Sequence, residues 1–312
     1  MGKIYTIGEA LIDFIPIQTA ASLSAVDAFQ KRPGGAPANV AVAAAKLGAE
    51  AYFVGMVGDD PFGHFLKDTI AGYGVNTRYL KTTKKAKTAL AFVSLADDGQ
   101  RDFSFYRNPS ADLLLDKSDV EEIEFTSEDY ISFGSVDLVE YPVKYATEYL
   151  LQKAKAANAT ILFDPNIRKD LWDDLNECRQ TILTFMKYAN IVKMADDEVE
   201  FITGKSSVKE AIEVVKQYGV EHVIVTYGPE GSDAYLKHCH SHADAQKVDP
   251  IDTTGAGDTF VGALLYYLDH YKHQISPEMI KDGLCFANHA AAIVTTKKGA
   301  MNAAPTLEEL QK

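Results

Sequence analysis

From residue 130 onward the sequence alternates two kinds of segment. Short apolar runs at Tyr130–Phe133, Thr160–Phe163, Asn190–Lys193 and His222–Thr226 are separated by amphipathic stretches near 142–158, 173–187, 196–203 and 207–218. Runs this short and this uniformly apolar read as strands covered on both faces, and the stretches between them are long enough for the crossover helices that parallel strands need. The expected class is α/β, a largely parallel central sheet flanked by helices in three layers. Lys3–Gly8 and Tyr52–Val57 read as further strands, and Val40–Gly48 as a small-residue helix ended by Gly48. No internal repeat and no Pro-, Gly- or Ser-rich linker divides the chain, so residues 1–312 are expected to form one domain.

Composition narrows the function classes. A net charge of −13 leaves no excess of Lys and Arg to neutralise a nucleic-acid backbone, although a local pocket can still hold a small anion. Cys178, Cys239 and Cys285 are too few and too scattered for a disulfide framework, which fits a reducing cytoplasm. No apolar run approaches the roughly 18 residues of a membrane span. Glu9 and Asp13 interrupt the apolar start, so it does not read as a signal peptide. The string from Met1 to Thr6 matches a myristoylation pattern literally, but Ile4, Tyr5 and Ile7 look like an opening core strand.

The chemistry-bearing stretch runs from Asp252 through Thr253, Thr254, Gly255, Ala256 and Gly257 to Asp258, followed by an apolar run at helical spacing. It reads as a tight loop opening a buried helix at about Gly257. The free amides and dipole of such a start attract phosphate, and glycine lets the backbone approach it. A carboxylate at Asp258 then suits a base that takes a proton from a group attacking phosphorus, or it is an ordinary acid in a first helical turn. Asp13, at the expected carboxyl end of the first strand, either binds a ligand or makes a local turn. Gly34, Gly35 and Asn39 precede the small-residue helix, where backbone approach and an amide suit a polyol. Arg107 offers donors to a sugar hydroxyl or is a surface arginine. Arg168 steadies a transferring phosphoryl group or pairs with Asp170 or Asp173. Residues 14–33 are irregular and 88–107 alternate around Asp97, Asp98 and Gly99, a hairpin signal. Together, from about 14–33 and 86–110, they suggest a small β-sheet lid whose exposed edges could pair two copies into a homodimer. His238, Cys239, His240 and His242 are the one metal-capable cluster, without the second pair that a structural zinc site needs.

The string from Asp252 to Phe260 closely resembles the second signature of the PfkB (ribokinase-like) carbohydrate kinases, and Gly34 to Asn39 followed by alanines resembles the first. Gly58 to Gly63 is typical of the same family, and Phe105 to Asp112 is similar to the matching stretch of its fructokinases. The resemblance implies a ribokinase-like fold with a lid over the sugar, and ATP-dependent transfer to a primary hydroxyl with Mg²⁺ present. For fructose the product would be fructose 6-phosphate. Asp258 would be the base, with the amides of Gly255, Ala256 and Gly257 holding phosphoryl charge, and Asp13, Gly34, Gly35, Asn39, Arg107 and Arg168 would bind substrate. Thr226, Gly228 and Gly231 resemble the nucleotide loop, with Gly257 and Asn288 completing that site. Glu198 would act through the metal's water shell, although Ala195 stands where many members have Asn. In members that depend on a monovalent cation, positions matching Asp252, Thr254, Val294, Lys297, Gly299 and Ala303 hold K⁺, mostly through backbone oxygens. The same machinery serves 2-keto-3-deoxygluconate, ribose or nucleosides in other members. An NAD-dependent oxidoreductase or a non-catalytic sugar-binding protein are readings from different classes, and no P-loop motif is present.

Overall fold

Side-chain parity along the central strands decides which helical layer each residue meets. The computed structural model describes residues 2–17, 23–95, 101–236, 239–271 and 276–311. Its first half comprises β1 (Lys3–Ile7), β2 (Leu11–Pro16), β3 (Phe29–Gly34), α1 (Ala36–Lys46), β4 (Glu50–Gly58), α2 (Pro61–Gly72), β5 (Leu80–Thr83), β6 (Ala89–Leu95), β7 (Arg101–Tyr106) and α3 (Lys117–Val120). There follow β8 (Tyr130–Phe133), α4 (Pro142–Ala156), β9 (Thr160–Phe163), α5 (Leu175–Phe185), β10 (Ile191–Ala195), α6 (Asp196–Thr203), α7 (Val208–Lys216), β11 (His222–Thr226), β12 (Ser232–Tyr235), β13 (His240–Ala243), α8 (Ala256–Tyr271), α9 (Pro277–Thr295) and α10 (Leu307–Leu310).

Nine strands form the main sheet in the order β13-β12-β11-β10-β9-β8-β1-β4-β5. Every pairing from β11 to β5 is parallel, and β12 and β13 close the other edge antiparallel. Tyr5, Ile7, Ile131, Phe133, Val192 and Met194 pack with α4 to α7 on one face. The alternate residues Ile4, Leu162, Ile191 and Ile224 pack with α1, α8 and α9 on the other. This is the three-layer arrangement expected from the alternation. Because β1 lies between β4 and β8, the chain reverses its winding direction there, and a crevice opens at the carboxyl ends of these strands.

A second sheet, in the order β3-β2-β6-β7, stands over that crevice. Its strands, Leu11–Pro16, Phe29–Gly34, Ala89–Leu95 and Arg101–Tyr106, fall largely where the sequence suggested a lid. Residues 14–33 are not irregular throughout: β2 and β3 pair antiparallel from Leu11 and Gly34 to Pro16 and Phe29. Asp13 therefore lies within a lid strand, not at the end of the first strand, because the chain leaves β1 at Gly8 and starts a new strand in the other sheet. The turn at Asp97, Asp98 and Gly99 lies outside the described residues, but the antiparallel register of β6 and β7 is that of a hairpin. Phe14 stacks on Phe92 at 4.8 Å and meets Phe62 of α2 at 5.8 Å, which seats the outer lid face on the body. Asp60 caps α2 through the amides of Phe62 and Gly63 and also accepts from the amide and hydroxyl of Thr88, which holds the root of β6.

Candidate active site

The loop before α8 is fixed by its own aspartate. One oxygen of Asp252 accepts from the amide and hydroxyl of Thr254 at 3.0 and 2.6 Å, and the other from the amide of Gly299 at 2.9 Å. The amides of Ile251 and Asp252 both donate to Thr295 O at the end of α9. Gly255 has φ +77°, and a Cβ there would stand 2.5 Å from that of Ala300, so both conformation and space require glycine. The helix then opens at Ala256, whose own amide donates to Thr253 O at 3.3 Å, and the positive end of its dipole faces the crevice.

Asp258 lies buried in the first turn. Its Oδ2 accepts from Asn39 Nδ2 at 2.8 Å and its Oδ1 from Asn166 Nδ2 at 3.3 Å. Asn166, left-handed at φ +44°, in turn accepts from Arg168 at 2.7 Å. Burial pushes the Asp258 pKa up, while Asn39, Arg168, Lys193 and Asn166 pull it back. The meeting of Asp258 with Asn39 follows from a helix crossing one turn further on. At Gly262 an added Cβ would lie 2.7 Å from both Ala43 Cβ and Val40 O, so α8 and α1 approach as closely as backbones allow.

A cavity of about 440 Å³ extends from this point. Gly255, Ala256, Gly257 and Asp258 line it on the α8 side, Asn39 meets Asp258 there, and Asp13, Gly35, Phe105 and Arg107 complete the wall. Gly34 leaves room for the Asp13 carboxylate against its own Cα. Asn39 Oδ1 is buried without a protein partner. Arg107 is not at the surface: its guanidinium is held by Asp112 and Asp137 and donates to Val136 O.

Lys193 carries a signal that motif reading passed over, a lysine inside an apolar strand. Its parity turns it to the α8 side, where its ammonium lies 3.5 Å from where a Cβ on Gly257 would stand and donates to both oxygens of Asp164 at 3.3 Å. Burial opposes its charge, but Asp164, Glu198 and Asp258 more than offset this, and its pKa lies above the ordinary lysine value. Glu198 accepts from the amides of Ile167 at 2.7 Å and Ala195 at 2.9 Å, so it ties α6 to the Asp164–Arg168 segment. Burial pushes both Asp164 and Glu198 up. Asp164 lines a smaller cavity, and Glu198 lies near enough for the Asp164 charge to raise its pKa. Carboxylate oxygens of this kind are the hard donors that Mg²⁺ takes, although both pairs of oxygens here already accept from Lys193 and backbone amides. Val294, Lys297, Gly299 and Ala303 lie along the end of α9 and the segment after it, which Asp252 holds through Gly299.

Thr226, Gly228 and Gly231 sit at the carboxyl end of β11, beside β10 and outside the lining of the large cavity. The Asn288 amide accepts from Ser232 at 3.1 Å and donates to Ala243 O at 2.9 Å, so it joins α9 to β12 and β13. His240 and His242 both meet Asp233, at 3.0 and 2.8 Å; His238 lies outside the described residues. Among the described residues no group of three side chains could hold a metal ion.

A buried carboxylate at a helix start beside a polar cavity is compatible with group transfer, and comparison decides the family. Residues 1–307 match the pfkB family carbohydrate kinase family. The chain belongs to the pfkB carbohydrate kinases. Among curated members of this family, the probable fructokinase-2 of Arabidopsis thaliana is 41% identical over 307 residues, which cover 98% of this chain and 93% of that one. Fructokinase from Vibrio cholerae O395, solved in a fructose, ADP and calcium ion bound form, superposes with a TM-score of 0.91 at 33% identity, covering 100% of this chain and 98% of that one. Aminoimidazole riboside kinase from Salmonella enterica, complexed with aminoimidazole riboside and an ATP analog, gives a TM-score of 0.88 at 29% identity, covering 99% and 98%. The fold is thus ribokinase-like and the protein is a sugar kinase. Membership of this family replaces the dinucleotide-dependent alternative.

Proposed function

We propose that this pfkB kinase transfers the γ-phosphoryl group of ATP to the primary 6-hydroxyl of fructose. The observation that carries the reading is Asp258, buried at the start of α8 between the amides of the Gly255–Gly257 turn and the polar sugar end of the cavity. The sugar hydroxyl gives its proton to the Asp258 carboxylate as its oxygen forms a bond to the γ-phosphorus, and the bond to the bridging oxygen of the β-phosphate breaks to release ADP. Amides of Gly255, Ala256 and Gly257, with Lys193 beside them, hold the charge on the equatorial oxygens. Mg²⁺, when bound, neutralises phosphate charge, and Asp164 and Glu198 are the groups to hold it, Glu198 through water. K⁺, when bound, would be held at the Asp252 turn, mainly by backbone oxygens, since the Asp252 carboxylate already accepts from Thr254 and Gly299. Asp13, Gly34, Gly35 and Asn39 orient the acceptor, with Arg107 as part of the wall and Arg168 behind the transferring group.

A neutral sugar suits this wall better than a sugar acid, because Asp112 and Asp137 already match the Arg107 charge and Glu9 and Asp13 add carboxyls. We further propose that the chain works as one unit with its lid and that copies pair through the lid edges β3 and β7. Cytoplasmic residence goes with this chemistry; no helix among the described residues is long and apolar enough to cross a membrane. An ADP-release assay with ATP and Mg²⁺ across a panel of sugars tests the reading. Fructose should be preferred, and Asp258→Asn should lower kcat by about 10²–10⁴ with unchanged melting temperature. A preference for ribose or a riboside would overturn the acceptor, and an active Asp258→Asn the mechanism.

A further inference from the structure

Three carboxyl groups face one guanidinium beneath the sugar end of the cavity. Arg107 is 9% exposed, and Glu9, Asp112 and Asp137 around it 4%, 1% and 4%. Asp112 is fully matched by two nitrogens of Arg107 and by the Ser110 hydroxyl. Asp137 has one oxygen on Arg107; its Oδ2 is buried without a partner, 3.6 Å from where a Cβ on Gly8 would stand. Glu9, the next residue, accepts from the amide of Ala36 at 2.9 Å and forms part of the cavity wall. The other titratable groups lining the two cavities that Glu9 joins are Asp13 on β2, Asp164 after β9, Asp258 on α8, Arg168 and Lys193.

We propose that Glu9 is a positioning residue of the acceptor site, which with Asp137 holds one proton over Arg107 and needs that proton for sugar to bind. One positive charge cannot balance three buried negative ones, and a carboxylate left unpaired in such a place takes a proton. Burial and then the Asp137 charge push Glu9 up to about 8, and burial, against the pull of Arg107, pushes Asp137 up to about 7. A sugar seated on Glu9 displaces water that would solvate its charge, so the complex favours the neutral form. A neutral carboxyl can also donate to a sugar hydroxyl, which an ionised one cannot. Sugar binding therefore takes up a proton near pH 8, and affinity falls as pH rises beyond it.

This inference rests on the acceptor-sugar reading of the cavity, and two measurements separate the failures. Titration calorimetry of fructose near pH 8, in buffers of different ionisation heat, should show proton uptake by the wild type and none by Glu9→Gln. The KM for fructose should rise by up to about tenfold per pH unit above that point in the wild type and stay flat in Glu9→Gln. A merely structural glutamate would raise KM equally at every pH. Infrared difference spectra of the sugar-free enzyme across the same range should show a protonated-carboxyl band whose component titrating near pH 8 is present in the wild type and lost in Glu9→Gln. Asp137→Asn, examined in the same way, serves if Glu9→Gln does not fold. Absence of the band, or equal proton uptake by variant and wild type, overturns the proposal. No heat with fructose, with the band present, places the failure on the acceptor and leaves the shared proton standing.

Discussion

Asn166 stands between a cation and the carboxylate proposed to take the proton. It accepts from Arg168 through one end of its amide and donates to Asp258 through the other, from a left-handed backbone that asparagine tolerates better than most residues. Removing it deprives a buried carboxylate of a hydrogen bond, an effect of about 1.5–3 kcal/mol for a charged partner. Asn166→Ala should therefore lower kcat by about tenfold or more. It should also shift the acid limb of the kcat/KM profile to higher pH, since Asn166 is one of the groups that hold the Asp258 pKa down; an unmoved limb would count against this role. The segment around Asn166 was recognisable as a strand-end loop, but nothing in its spacing says that the amide, and not only Arg168, faces Asp258. Arg107 was opaque for a related reason. Its partners lie 5 and 30 positions away and are brought together only by the fold, so a lone arginine next to the Asn108–Pro109 turn reads equally well as surface.

At the scale of elements, the crossing of α1 and α8 sets the distance between Asn39, proposed to hold the acceptor, and Asp258, proposed to deprotonate it. Asn39 and Asp258 each lie four residues before the contact of Ala43 with Gly262. Gly262→Ala forces a methyl into occupied space and should cost about 1–3 kcal/mol by overpacking. Because the separation propagates one turn to Asp258, kcat should fall as well. Urea unfolding and initial rates check the two effects; a stable, fully active variant would show that the helices can adjust. The body strands and their helices were legible because both faces of the sheet are apolar and the strand–helix rhythm repeats. The lid strands were less so. One face of β2 and β3 meets a polar cavity and solvent, so Asp13, Lys31 and Arg32 break the alternation that would mark a strand. Lys193 is the converse case, a site residue concealed in an otherwise regular core strand.

For the molecule as a whole, the crevice collects carboxyl groups whose pKa values lie above the ordinary range: Glu9, Asp137, Asp164, Glu198 and Asp258. The folded chain keeps protons that the unfolded chain would release. The stability that Glu9 contributes is thus complete below its ordinary value of 4.5 and is lost as pH rises through about 8. Each such group gives a slope of up to about 1.4 kcal/mol per pH unit within its window. Denaturant midpoints should fall between pH 5 and 8, and Glu9→Gln should flatten part of that fall; a rising midpoint would contradict the burial of these groups. The placement of the lid carries a different consequence. Asp13, Phe105 and Arg107 arrive on or just after its strands, whereas Asp258, Asp164 and Lys193 belong to the body. On the proposed roles, much of acceptor choice is therefore inherited through stretches of chain separate from the phosphoryl chemistry, with Glu9, Gly35 and Asn39 as the exceptions. A lineage can alter its diet by rewriting four short strands while the reaction it performs stays as it was.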